Sequence, residues 1–189
     1  EDYEVHRAIA PWEIASYLLG TCSNVKEVVA AAESMLVGTV VQPEMGIVPP
    51  VHAIVTDVSG RSVVLEYVGG ELQIHPNPFG VMSNSPTFDW HMTNLSNYVG
   101  LTPMIRSNVD LSGYTVQGFG QGSGFYGLPG DFTPPSRFVR AVAYQQTAVP
   151  NATAADAVYQ AFHILNNFDV PVGAVRDTVQ GKTVDEYTL

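Results

Sequence analysis

Three β-patterned runs stand almost end to end in the middle of this chain, at 51–58, 62–68 and 71–75. The connections between them are short: Asp57-Val58-Ser59-Gly60, then Val68-Gly69-Gly70-Glu71. Links this tight join only antiparallel neighbours, because a parallel crossover needs a dozen or more residues. The spacing therefore predicts an antiparallel meander, with Val63, Leu65 and Tyr67 on one face of its middle strand.

Helical patterns lie on both sides of the meander. Pro11 opens a short helix at 11–19, with Gly20 beyond its end. A second helix is expected at 23–36, where Val25, Val28, Val29, Ala32 and Leu36 follow the helical period and Asn24 with Glu27 forms a capping box. Residues 86–98 look helical but are interrupted by Asn and Ser. Two more helices are expected at 134–146 and 153–167. The second has Thr153 and Asp156 as its capping box and Ala154, Val158, Ala161, Phe162 and Leu165 on one face. Helices, a meander and helices again make a layered α+β arrangement. With 189 residues, no internal repeat and no interdomain linker, the chain is read as one domain. Its first residues, Glu1-Asp2-Tyr3, lack an initiator Met, and its last, Asp185-Glu186-Tyr187-Thr188-Leu189, read as the start of a strand. A domain rarely stops inside a ladder, so a longer parent chain is expected.

Composition removes several function classes. Eight Lys+Arg against 18 Asp+Glu give a net charge of −10, which repels phosphate backbones and argues against nucleic acid as a partner. No apolar run approaches the roughly 18 residues of a membrane span, so no membrane partner is expected. The single cysteine, Cys22, excludes an internal disulfide. His6, His52, His75, His91 and His163 form no metal-binding spacing, and neither a metal nor a cofactor is expected. Gly122-Ser-Gly124-Phe-Tyr-Gly127 matches the dinucleotide-binding letters G-x-G-x-x-G. That motif needs a strand before it and a helix after it. Leu128-Pro129-Gly130-Asp131 and Pro134-Pro135 follow instead, so an ordered loop is the better account.

A few residues point to chemistry. Asn84 follows a short apolar run, where a side-chain amide is placed to donate to a developing oxyanion; on spacing alone an Asx turn ahead of Pro86 is the favoured account. Arg137 opens an apolar helix, where a cation opposes the helix dipole, so either another group holds it or it is a surface charge like Arg140. Asp131, Asp89 and Glu66 are carboxylates without an evident partner. Cys22 stands near a helix N-terminus, which can lower a thiol pKa, but a buried structural cysteine is the favoured reading. The apolar loop 38–50, with Val41, Met45, Ile47 and Val48, either lines an acyl pocket or caps the sheet.

Two longer strings add a resemblance. Val81-Met-Ser-Asn84-Ser-Pro-Thr-Phe-Asp-Trp-His-Met-Thr-Asn-Leu-Ser-Asn-Tyr98 resembles the T-N-N-P…N-L-N-N-Y signature of the choloylglycine hydrolase family. Gly127-Leu-Pro-Gly-Asp131-Phe-Thr-Pro-Pro-Ser-Arg137-Phe-Val-Arg-Ala141 is similar to its G-L-P-G-D-x-S-S-x-S-R-F-V-R-A segment. Leu18-Leu-Gly-Thr-Cys22-Ser-Asn-Val-Lys-Glu27 and Glu186-Tyr-Thr-Leu189 also fit. Ser83 and Ser85 depart from the usual Thr and second Asn.

The resemblance implies a four-layer αββα Ntn-hydrolase sandwich, with this chain as an incomplete, central-to-C-terminal portion of it. It implies a hydrolase of linear carbon–nitrogen amide bonds, of bile salt hydrolase or penicillin V acylase type. In that family an N-terminal Cys thiol attacks while its own α-amino group acts as base. Glu1 is no such nucleophile and Cys22 matches a structural position, so the nucleophile is expected upstream of residue 1 and the isolated piece is expected to be inactive. Asn84 becomes the oxyanion-hole side chain and Arg137 the arginine beside the nucleophile. A small-molecule amide substrate, a homotetramer and a bacterial cytoplasmic or periplasmic setting are further implications. The alternative is a binding or assembly protein that keeps the fold without the chemistry.

Overall fold

Asn24 shows how local signals place the first helices. Its Oδ1 accepts the amide of Glu27 at 3.0 Å, and the Glu27 carboxylate reaches back to the amide of Ser23 at 2.7 Å. Two donors at a helix start are thereby satisfied. The computed structural model describes residues 8–179 and 182–186, so His6 and the closing Tyr187-Thr188-Leu189 lie outside the described residues. The chain divides into two units, residues 1–82 with 87–89, and residues 83–86 with 90–189.

In the first unit, strand β1 (Ala8–Ile9) pairs in parallel with β2 (Leu36–Val37). Between them run a 3-10 turn at Pro11–Glu13 and helices α1 (Ile14–Thr21) and α2 (Val25–Ser34). The expected meander follows as β3 (His52–Thr56), β4 (Ser62–Val68) and β5 (Glu71–Pro76), antiparallel in the order β3-β4-β5. Val63 and Leu65 pack with Ile14, Leu18, Val25, Val28 and Ala32 into one core, and Tyr67 packs against it. Helix α2 stops at Ser34, two residues short of expectation; Leu36 stands in β2, 42% exposed, off the helix's buried face.

The second face of β4 is also covered. Val64 is fully buried and Glu66 is 6% exposed. The Glu66 carboxylate accepts the backbone amide of Phe88 at 2.9 Å and lies 3.7 Å from Nε2 of His75, whose ring meets that of Phe88. Phe88 opens helix α3 (Phe88–Asn94), which gives way to a 3-10 turn at Leu95–Tyr98, as the Asn and Ser interruptions suggested.

The second unit holds a hairpin the sequence reading did not identify, β6 (Val109–Leu111) with β7 (Tyr114–Val116). Ser112 and Gly113 both carry positive φ in its two-residue turn. The glycine stretch that mimics a dinucleotide motif is an ordered loop around a 3-10 turn at Ser123–Phe125. Gly124 is required there by close approach: a Cβ would stand 2.1 Å from the carbonyl oxygens of Thr102 and Met104. Helix α4 (Pro134–Thr147) buries Phe138, Val139 and Val142. Helix α5 (Ala154–Leu165) is capped by Thr153 through the amide of Asp156, as expected. Its apolar face is open among the described residues, with Val158, Phe162 and Leu165 each more than half exposed. A closing hairpin pairs β8 (Val175–Val179) with β9 (Lys182–Glu186).

Candidate active site

Helix α4 begins without backbone donors, because Pro134 and Pro135 fill its first two positions. Asp131 ties the N-cap residue Thr133 to the first turn instead. One carboxylate oxygen accepts the amide of Thr133 at 2.9 Å, and the other accepts the Ser136 hydroxyl at 2.6 Å. The Ser136 hydroxyl first, then the Thr133 hydroxyl and amide, hold this carboxyl down to about 2. An anion at the helix start favours the dipole that a cation there opposes.

Two arginines leave the same helix, and they go to different places. Arg137 Nη2 donates to Oδ1 of Asn84 at 2.7 Å, closing a sequence gap of 53 residues. This bond decides which way the amide points. A guanidinium has only donors, so the oxygen of Asn84 must face it and the NH₂ group is left to donate elsewhere. Charge withdrawn through the oxygen also makes that NH₂ a better donor. Asn84 is exposed and Arg137 half-buried. Among the described residues, Oδ1 makes no Asx-turn bond to the following backbone. Nearby in sequence, the Ser83 hydroxyl oxygen and Arg137 Nε are buried atoms without a hydrogen-bond partner among the described residues.

Arg140 corrects the sequence reading. It is 5% exposed, where a surface charge was expected. Its Nη1 donates to the carbonyls of Pro129 and Asp131, at 3.0 and 2.7 Å, and its guanidinium lies 5.2 Å from the ring centroid of Phe168. Burial is tolerated because the head group pins two main-chain oxygens in the loop that leads into α4.

One residue missed by sequence reasoning joins the site. His91 on α3 is 1% exposed, stacks on Phe138 with ring centroids 4.8 Å apart, and brings Nε2 to 2.8 Å from the backbone carbonyl of Asn84. As one of five histidines without metal spacing, it carried no signal in the sequence beyond its place in Phe88-Asp-Trp-His91.

The other candidates stand apart from this cluster. Val41, Met45, Ile47 and Val48 are exposed on a chain reversal closed by the Gln42–Ile47 bridge. None of them lines either of two apolar cavities of the first unit, one of about 150 Å³ walled by Trp12, Met35, His52, Leu65 and Tyr67 among others, and one of about 390 Å³ beside Cys22. Burial raises the Tyr67 phenol in the smaller one, and its hydroxyl has no partner among the described residues. Cys22 is half-buried against the core of α1, α2 and the meander, 3.6 Å from the Thr21 hydroxyl, in keeping with a structural cysteine. Glu66 and Asp131, read as unpartnered, both have partners: the amide of Phe88 for one, hydroxyls and an amide for the other. Asp89 receives the Thr87 hydroxyl. No group of three or more His, Cys, Asp or Glu among the described residues is arranged to hold a metal ion, and no described helix is long and apolar enough to cross a membrane.

The fold has solved counterparts. A variant of the conjugated bile acid hydrolase from Clostridium perfringens superposes with a TM-score of 0.82 at 33% identity, covering 98% of this chain and 56% of that one. The class is therefore the α+β Ntn hydrolase that the motifs implied. Over residues 1–189 the chain matches the linear amide C-N hydrolases, choloylglycine hydrolase family, and it belongs to that family. Among its relatives, the protein A284L of Paramecium bursaria Chlorella virus 1, whose function is uncharacterised, is 41% identical over 96% of this chain and 63% of its own length. The bile salt hydrolase/transferase of Clostridium perfringens is 34% identical over 100% of this chain and 57% of its own length. The chain thus spans less than two thirds of the length of these relatives.

Proposed function

We propose that the protein carrying this chain hydrolyses linear amides of conjugated bile salt or penicillin V type, through an N-terminal Cys that lies outside these 189 residues. The observation that carries the reading is the Arg137–Asn84 bond, which joins the family's two motifs into one polar cluster. In this reading the freed NH₂ of Asn84 donates to the oxyanion of the tetrahedral intermediate, a stabilisation that grows as charge develops. Arg137 orients that amide and places a fixed positive charge beside the reacting centre, where it favours thiolate over thiol. Val41, Met45, Ile47 and Val48 are the proposed apolar contacts for the acyl group; their exposure on a Gly46-closed reversal leaves them available to it. A homotetramer is part of the same proposal and is read by sedimentation.

The full-length protein is incubated with glycine- and taurine-conjugated bile salts and with phenoxymethylpenicillin, and the released amine is measured. Mass spectrometry of the mature N-terminus accompanies it. Turnover together with an N-terminal Cys supports the enzyme. A mature N-terminus other than Cys, with no turnover, leaves the binding or assembly protein. Expressed alone, the 189 residues should release no amine, since the covalent route needs the nucleophile. Release that is lost on alkylating Cys22 would reassign that thiol.

A further inference from the structure

His91 carries more than its place in a hydrophobic stack requires. Its ring is 1% exposed, lies 18° from parallel with Phe138 at 4.8 Å, and meets Trp90 edge-on at 5.6 Å. A phenylalanine would fill that slot without burying polar nitrogens, which is costly wherever one is left unbonded. Nδ1 of His91 is unbonded among the described residues. The other nitrogen, Nε2, is 2.8 Å from the main-chain oxygen of Asn84. A carbonyl only accepts, so the proton of the neutral ring must sit on Nε2.

We propose that His91 is a positioning residue for Asn84: it fixes the Asn84 peptide plane while Arg137 fixes the Asn84 side chain, so that the NH₂ group is presented in one orientation. The two restraints act on different bonds. The hydrogen bond at the backbone oxygen limits rotation about Cα–C, and the one at Oδ1 limits rotation about Cβ–Cγ. Both restraints are organised by consecutive residues of α4. Phe138 carries the ring of His91, and Arg137 carries the amide oxygen. An oxyanion donor gains its advantage by being in place before charge develops, so loss of either restraint lowers the rate without weakening substrate binding. The proposal rests on the reading of Asn84 as the oxyanion donor.

Two variants of the full-length protein separate donor from ring. His91→Phe keeps the stack and loses the N–H; His91→Gln loses the stack and keeps an N–H close to the Nε2 position. The expected result is a kcat roughly tenfold lower in His91→Phe, with KM within twofold and an unfolding midpoint at or above the parent. His91→Gln should recover most of kcat while its midpoint falls. Activity would then follow the donor and stability the ring, an inversion that a purely structural residue does not give. If kcat in His91→Phe stays within twofold, or if both variants lose activity in proportion to their midpoints, the proposal is overturned. A second measurement does not depend on turnover. Long-range ¹H–¹⁵N correlation spectra of ¹⁵N-histidine-labelled full-length protein should show His91 as the Nε2–H tautomer, and an Nδ1–H tautomer overturns the proposal. A parent without hydrolase activity defeats the functional reading alone; the tautomer, and the sharpness of the Asn84 side-chain NH₂ signals in parent against His91→Phe, then decide the positioning role.

Discussion

The Ser83–Pro86 segment and the Pro129–Asp131 loop each receive an arginine from α4, and they use it in opposite ways. Arg140 is buried and donates to two main-chain oxygens of the loop that leads into α4. Arg137 is half-buried and donates to one side-chain oxygen, on an exposed residue whose NH₂ has no partner among the described residues. Identical side chains one turn apart have thus become a tie and an orienting charge. What separates them is the partner group, since a main-chain carbonyl only accepts, whereas an amide bonded through its oxygen still has an NH₂ to donate.

Substitutions in the full-length protein put that contrast under strain. Asn84→Ala should have the largest effect, a fall in kcat of roughly 10²–10³ with little change in KM, because the donor acts on transition-state charge. Steady-state kinetics within twofold of the parent would make Asn84 a turn residue. Arg140→Ala should cost about 2–4 kcal/mol of folding stability, through the loss of two charge-assisted hydrogen bonds and of the buried Arg140 side chain, and it should show as a lower urea midpoint. For that reason Arg140→Ala is no neutral control for Arg137. Arg137→Ala should reduce kcat by roughly 10- to 100-fold, the worth of a charge-assisted hydrogen bond, while moving the urea midpoint far less than Arg140→Ala does. Arg137→Lys should keep part of the activity, since the charge survives and the planar fork does not. Equal effects of the two alanine variants on both readouts would erase the distinction.

The smallest expected effect lies at Asp131. Its carboxyl is held near 2 in the folded chain, against an ordinary value of 3.8. A carboxyl lowered by folding stabilises the fold where it is ionised in both states, above roughly pH 4, and the contribution disappears as pH falls toward 2. Asp131→Asn should therefore flatten the decline of the unfolding midpoint between about pH 4 and pH 2. An unchanged slope would mean that Ser136 and Thr133 do not hold the charge.

Some of this was legible in the residues. The N-caps at Asn24 and Thr153, the two tight turns of the meander and the rejection of the Gly122–Gly127 motif all follow from local rules, and local rules are what a sequence states directly. Burial on a second side is not local. Alternation puts Val63, Leu65 and Tyr67 on one face of β4 and leaves Glu66 on the other; nothing in that pattern shows that Phe88 will cover it. Arg140 was misread for the same reason, since its acceptors are loop carbonyls that carry no side-chain signature. The β6–β7 hairpin escaped because three-residue strands with exposed side chains leave almost no period to detect. Asn84 and Arg137 were each marked by odd placement, but only the motif resemblance linked them, and His91 had no mark at all.

Strand β4 has one more consequence. From Ser62 to Glu66 every residue is buried, so the run Ser-Val-Val-Leu that the native sheet conceals is, off the fold, a short apolar stretch with high β-propensity and no proline. Arg61 and Glu66 bracket it, a charge on either side, in the manner of gatekeepers against self-association. Chains that have yet to fold expose this stretch to one another. Dilution during refolding and a slow supply of nascent chain therefore protect it, because the exposure ends once the sheet has formed.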